Sequence, residues 1–141
     1  MASPPMIILE DDHVLIEADP ELSLMRLNWK GFCHGDQYRQ VLEKALETIN
    51  ELRLKFWLND ARQMGPILFE DEQWTINEIT PRYQQSGLKR IAIIPSRDFF
   101  NKMSVERMVE ATAPRSPYQI AYFREVPDAE AWLFGREKAI A

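Results

Sequence analysis

Metal and nucleophile chemistry has few candidate residues in this chain. The histidines are His13 and His34, and Cys33 is the one cysteine. A zinc or iron site needs several His, Cys or carboxylate ligands converging on one point. Adjacent residues such as Cys33 and His34 seldom aim at the same metal, so no metal is expected. Nucleophilic catalysis needs a serine, threonine or cysteine activated by a base. Cys33 with His13 is the pairing on offer, but a loop histidine beside a small buried thiol fits the usual behaviour of free cysteine better. No serine sits in a glycine-flanked elbow, and neither a P-loop nor a dinucleotide fingerprint occurs among the five isolated glycines. No catalytic or cofactor-binding residue is assigned, and the chain reads as non-enzymatic.

Carboxylates and arginines offer more. Glu70, Asp71 and Glu72 form an acidic run, which at the first turn of a helix complements the dipole and caps free amides. Asp60 is placed at the end of an apolar strand, and open α/β sheets bind ligands beyond the carboxyl ends of their strands. Asp60, Arg62 and Gln63, with Ser96 and Arg97 after the next strand, therefore form a candidate ligand site. Arginine there would offer a planar set of donors suited to carboxylate or phosphate. Four tryptophans are many for 141 residues. Trp57 and Trp74 fit core positions and Trp132 fits the apolar side of a final helix.

These residues must be held by an alternating series of elements. Met6–Glu10, Val14–Ala18 and Leu22–Trp29 read as strands, separated by Asp11-Asp12 and by Asp19-Pro20. Three strands with short connections imply an antiparallel meander. The period then changes: Tyr38, Val41, Leu42, Ala45, Leu46, Ile49 and Leu52 share one helical face behind Asp36. Phe56–Leu58 reads as a buried strand ending in Asn59-Asp60. A loop at Gly65-Pro66 leads to a helix over Glu70–Gln85, in which Pro81 predicts a kink or break near Ile79-Thr80 and Ser86-Gly87 a stop. Ile91–Ile94 is the strongest central-strand signal, apolar on both faces. A short helix over Ser104–Ala111, a strand over Ile120–Phe123 and a helix over Asp128–Phe134 complete the chain. Strand and helix alternate from residue 25 onward, which implies right-handed crossovers. The fold class is α/β: a mixed sheet of five to six strands, antiparallel at its N-terminal side, with about four helices, forming one domain over residues 1–141.

Composition excludes several functions. Hydrophobic residues make up 45% and charged residues 28%, an ordinary core-forming mix. Net charge is −5, the opposite of a nucleic-acid footprint, so no nucleic acid is expected as partner. No apolar run reaches the roughly 18 residues of a membrane span. The opening residues lack a signal peptide's basic and apolar segments, and a single cysteine fits a reducing compartment. A cytoplasmic location is the expectation.

This order of elements resembles the SpoIIAA-like branch of the STAS fold, with its STAS/SEC14-type relatives, over nearly the whole chain. The residues that carry the resemblance are Phe56–Asp60, Asp71 and Trp74 opening the next helix, Pro81-Arg82, Gly87–Ile94, and Ala129, Ala131, Trp132 and Leu133 in the last helix. Phosphorylatable STAS domains carry Asp-x-Ser-Gly just after the strand corresponding to Phe56–Asn59. Here Asp60 matches the aspartate, Ala61 follows, and Arg62 occupies the acceptor position, so the resemblance implies a protein that takes no phosphate there. It implies a regulatory or protein-interaction module. The alternative is a carrier or sensor of a small or lipid-like ligand. An enclosed apolar pocket between sheet and helices would favour the ligand reading, and an exposed apolar patch the interaction reading. Phe99, Phe100 and Met103 are the candidate patch, set on a surface connection and expected to form a contact surface, most simply in a homodimer.

Overall fold

The structure, a computed structural model, describes residues 4–136. Six strands form one sheet in chain order: β1 (Met6–Glu10), β2 (Val14–Asp19), β3 (Leu24–Gly31), β4 (Phe56–Met64), β5 (Arg90–Ile94) and β6 (Gln119–Tyr122). β1, β2 and β3 pair antiparallel through short turns, and β3 to β6 pair parallel. Parallel neighbours require crossovers, and helices supply them. These are α1 (Gly35–Leu52), a composite helix of α2 (Phe69–Trp74), a π-helical segment (Thr75–Ile79) and α3 (Thr80–Tyr83), and then α4 (Phe99–Thr112); α5 (Val126–Leu133) follows β6. The mixed sheet expected from sequence is present, and Ile91–Ile94 is buried along its whole length.

Several boundaries differ from the sequence reading, each for a local reason. β3 begins at Leu24, because Pro20–Leu22 forms a 3-10 turn capped by Asp19, whose carboxylate accepts from the Leu22 amide. β4 continues to Met64, so Asp60, Arg62 and Gln63 lie within the strand rather than beyond it. An extra residue on β4 makes this possible: Asn28 pairs with Asp60 but Lys30 with Gln63, a bulge that bends the strand and shifts its facing. The composite helix does not break ahead of Pro81; it widens into a π turn at Thr75–Ile79, where the proline's missing N–H leaves the ordinary ladder incomplete. α4 begins at Phe99 instead of Ser104, because Asp98 caps it by accepting from the Asn101 amide at 2.9 Å. β6 starts at Gln119 and α5 at Val126, where Pro127 suits the first turn.

Alternate strand residues serve two cores. One lies under α1, the composite helix and α4, and includes Met25, Leu27, Ile49 and Ile79. The smaller one lies under α5 and joins Leu24, Leu58, Ala92 and Ile94 to Ala129 and Leu133. At the open ends of β3 and β4, the Gly65 amide donates to Gly31 O at 2.8 Å. A side chain at Gly65 would press on the Gly31 backbone at 3.4 Å, so glycine fits the close approach.

Candidate functional site

The larger core is incompletely filled. A cavity of about 120 Å³ lies between the sheet and the helices, walled by Trp29, Trp57, Asn59, Ala61, Ile91, Ile93 and Ile120 of the sheet. Tyr38 and Leu42 of α1, Thr75 and Ile79 of the π segment, and Val105, Met108 and Val109 of α4 close the other side. Among the described residues, no charged side chain lines it. Two stacked aromatic pairs frame it, Trp29 with Tyr38 at 5.6 Å and Trp57 with Tyr83 at 5.1 Å. Thr75, Thr80, Val105, Met108 and Val109 are only half-buried, which places the mouth between the π segment and α4.

Most polar groups in this wall are already engaged. Tyr38 Oη and Thr75 Oγ1 meet at 2.7 Å, and Thr75 Oγ1 donates to Asp71 O. Tyr83 Oη donates to Leu42 O at 2.6 Å, and Thr112 Oγ1 to Met108 O. Burial pushes the Tyr38 and Tyr83 phenols well above their ordinary pKa, so both stay neutral. Asn59 is different. Trp29 Nε1 donates to its Oδ1 at 2.9 Å. Because an indole N–H can only donate, that bond fixes which end of the amide faces Trp29, and the Asn59 NH2 makes no hydrogen bond. Trp57 Nε1 also has no partner and is sealed from solvent.

The charged candidates from sequence divide. Asp60 and Arg62 come together, with Arg62 Nε 3.0 Å from Asp60 Oδ1 and Nη2 2.6 Å from Oδ2, and the Arg62 amide also donates to Asp60 Oδ1. Contact with Asp60 raises the Arg62 pKa, with Glu125 adding to the effect. Most of this pair's hydrogen-bonding capacity is thus satisfied internally. Gln63 and Arg97 are exposed. Arg97 reaches the pair through its backbone amide, which donates to Arg62 O at 3.4 Å. Ser96 is buried and braces the chain, donating to Met64 O at 2.6 Å and accepting from the Asp98 amide.

The acidic run does more than cap its own helix. Asp71 is 1% exposed, and its Oδ2 accepts from the Gly35 amide at the start of α1 at 2.8 Å, with Arg39 Nε 3.5 Å from Oδ1. Glu72 is 3% exposed and takes Arg107 of α4 in a two-bond pair at 2.8 and 3.0 Å. The run ties three helices together, a role that spacing within α2 alone could not reveal. Cys33 is buried, and desolvation, reinforced by Asp11 and Asp71, pushes its thiol up to about 11. A nucleophilic thiol needs the opposite shift. His13 sits in the β1–β2 turn and His34 precedes α1, stacked on Phe32. Among the described residues, no three His, Cys, Asp or Glu side chains gather as a metal site would require.

Large apolar side chains are exposed beyond the carboxyl ends of three adjacent parallel strands: Phe32 after β3, Leu68 and Phe69 after β4, and Phe99, Phe100 and Met103 after β5. Phe99 and Phe100 are 66% and 70% exposed. The last three occupy the first turns of α4 rather than a loop, so their backbone is fixed while their side chains face water.

No family model matches the chain, and no curated protein matches it. Solved structures do. A DUF3478-family protein from Shewanella loihica PV-4 with a SpoIIAA-like fold aligns with a TM-score of 0.57 at 15% identity, over 94% of this chain and 98% of that one. SiaC of Pseudomonas aeruginosa aligns with a TM-score of 0.50 at 8% identity, over 86% of this chain and 100% of that one. At such identities the likeness speaks for fold: this is a SpoIIAA-like α/β fold with its antiparallel strands at the N-terminal side. Among the described residues, no helix is long and apolar enough to cross a membrane.

Proposed function

We propose that this chain is a non-enzymatic regulatory module that acts by binding a protein through the face beyond the carboxyl ends of β3, β4 and β5. The carrying observation is the exposed group of Phe32, Leu68, Phe69, Phe99, Phe100 and Met103. Exposed apolar surface of this kind marks interaction sites, and aromatic residues with methionine are enriched in interface cores. A protein of the same fold works by association, since SiaC is the activator of the diguanylate cyclase SiaD. Fold alone does not carry a function across, so the weight rests on the surface. The simplest partner is a second copy of the chain, because a two-fold pair would cover both patches at once. By its sequence resemblance to phosphorylatable STAS domains the chain carries Arg62, paired with Asp60, at the serine position, which supports association that is not switched by phosphate there.

Sedimentation velocity tests this reading. The protein should sediment as a dimer at micromolar concentration, and the double variant Phe100→Ser, Met103→Gln as a folded monomer. Monomeric wild-type protein at high micromolar concentration would refute the homodimer and leave a foreign protein as the partner. The cavity favours a second reading, the binding of a small ligand between sheet and helices.

A further inference from the structure

We propose that the cavity binds a small, uncharged ligand, a single aromatic ring carrying a carbonyl oxygen, with that oxygen accepting a hydrogen bond from the Asn59 side-chain NH2. The proposal rests on the ligand-binding reading and is independent of the surface patch.

Size, charge and hydrogen bonding set the ligand class. An engineered cavity of about 150 Å³ lined by apolar side chains is known to take benzene; at about 120 Å³ this one suits a single ring, with a substituent reaching toward the mouth. An ion would have to leave water for a wall that holds no opposite charge, which burial penalises severely. The stacked pairs Trp29–Tyr38 and Trp57–Tyr83 offer aromatic faces and edges to a ring between them. The hydroxyl protons of Tyr38, Tyr83, Thr75 and Thr112 are already donated within the protein. The Asn59 NH2 has no partner, and Trp29 holds the amide so that its oxygen cannot turn into the cavity without breaking a 2.9 Å bond. A ligand acceptor would therefore meet a donor that is free and held in place. The π turn supports the assignment independently. Such turns recur at functional sites, and this one places Thr75 and Ile79 in the cavity wall.

The test is an NMR titration of the full-length, isotope-labelled protein with acetophenone, ethylbenzene and benzoate, read at the Asn59 side-chain amide and at the tryptophan indoles. Acetophenone should shift the Asn59 NH2 signals saturably and bind several-fold more tightly than ethylbenzene, the hydrocarbon of similar shape. Benzoate should not bind at this site. In Asn59→Leu the preference for the ketone should disappear while ring binding persists. Should that variant fail to fold, Val109→Phe serves: it fills the cavity from α4, and acetophenone should then no longer shift Asn59. Equal affinity for ethylbenzene and acetophenone, or binding of benzoate at the cavity, would overturn the ligand class and leave the ligand-binding reading standing. If none of the three perturbs a cavity residue, or if acetophenone shifts Asn59 equally in Val109→Phe, both the proposal and the reading beneath it fail.

Discussion

On the α5 side of β4, Asp60 and Arg62 close on one another with bonds of 2.6 to 3.2 Å. On the other side of the same strand, the NH2 of half-buried Asn59 has no partner among the described residues, and Trp57 Nε1 is buried without one. The charged pair is the more conspicuous in sequence, yet its groups largely satisfy each other. Free hydrogen-bonding capacity lies instead in an otherwise apolar wall, where an unmade bond costs more. The packing differs in the same sense. Under α5 the side chains of Leu24, Leu58, Ala92, Ile94, Ala129 and Leu133 are at most 3% exposed, whereas the larger core keeps a cavity. A residue's type says which chemistry it can do; whether its neighbours leave it free is decided by packing.

Substitutions should separate the two faces. The largest effect is expected under α5, where Leu58→Ala removes a side chain that is 3% exposed in the smaller core. Loss of its transfer energy plus a new void should cost about 2–5 kcal/mol in a denaturant titration. A cost below about 1 kcal/mol would show that this core is as loosely filled as the other. A pair of tryptophans gives the next contrast. Trp29→Phe strips Asn59 Oδ1 of its donor, whereas Trp57→Phe removes an N–H that has no partner. Trp29 is buried and Trp57 half-buried, and the lost hydrogen bond adds to that difference, so Trp29→Phe should be the worse by about 1–3 kcal/mol. Equal costs in parallel urea titrations would mean that the two indoles are equally satisfied in solution. Arg62→Ala should do less. Its side chain is 37% exposed, and ion pairs in such settings contribute about 0–1 kcal/mol. A larger loss of stability would assign the pair a structural task beyond its local closure.

The alternation of strand and helix and the interior position of Ile91–Ile94 are legible because they follow from apolar periodicity, which reflects burial directly. The end of β4 is not, because Asn59, Asp60 and Arg62 look like the polar close of a strand. They continue it through a bulge and a mutual ion pair that only the β3 partner and the three-dimensional register create. Phe99 and Phe100 read as a surface connection because they do not fall on the inward face of α4. The Asp98 cap could have signalled the earlier start. Their exposure was legible and their helical setting was not. Asn59 gives no sequence signal as a site residue at all. Its distinction is the Trp29 bond that orients it, a contact between neighbouring strands.

Cys33 gives the smallest and most specific test of how the thick face is closed at its α1 end. The thiol is 1% exposed, and removal from water together with the negative charges of Asp11 and Asp71 pushes its pKa from an ordinary 9.0 to about 11. The fold therefore favours the protonated thiol, whereas the unfolded chain releases that proton near 9.0. A group whose pKa is raised in this way contributes stability that is complete below the unfolded value and is lost as pH rises toward the folded one. The stability difference between the wild-type protein and Cys33→Ala should thus be flat up to about pH 9 and shrink above it; the tyrosines, which also titrate there, are common to both proteins and cancel. Alkylation by iodoacetamide at pH 8 should be much slower in the native protein than in urea, since the thiolate is the reactive form. Equal labelling rates in the two states would show that the segment between β3 and α1 opens freely. The cavity beside it would then be better described as part of a mobile face than as a formed site.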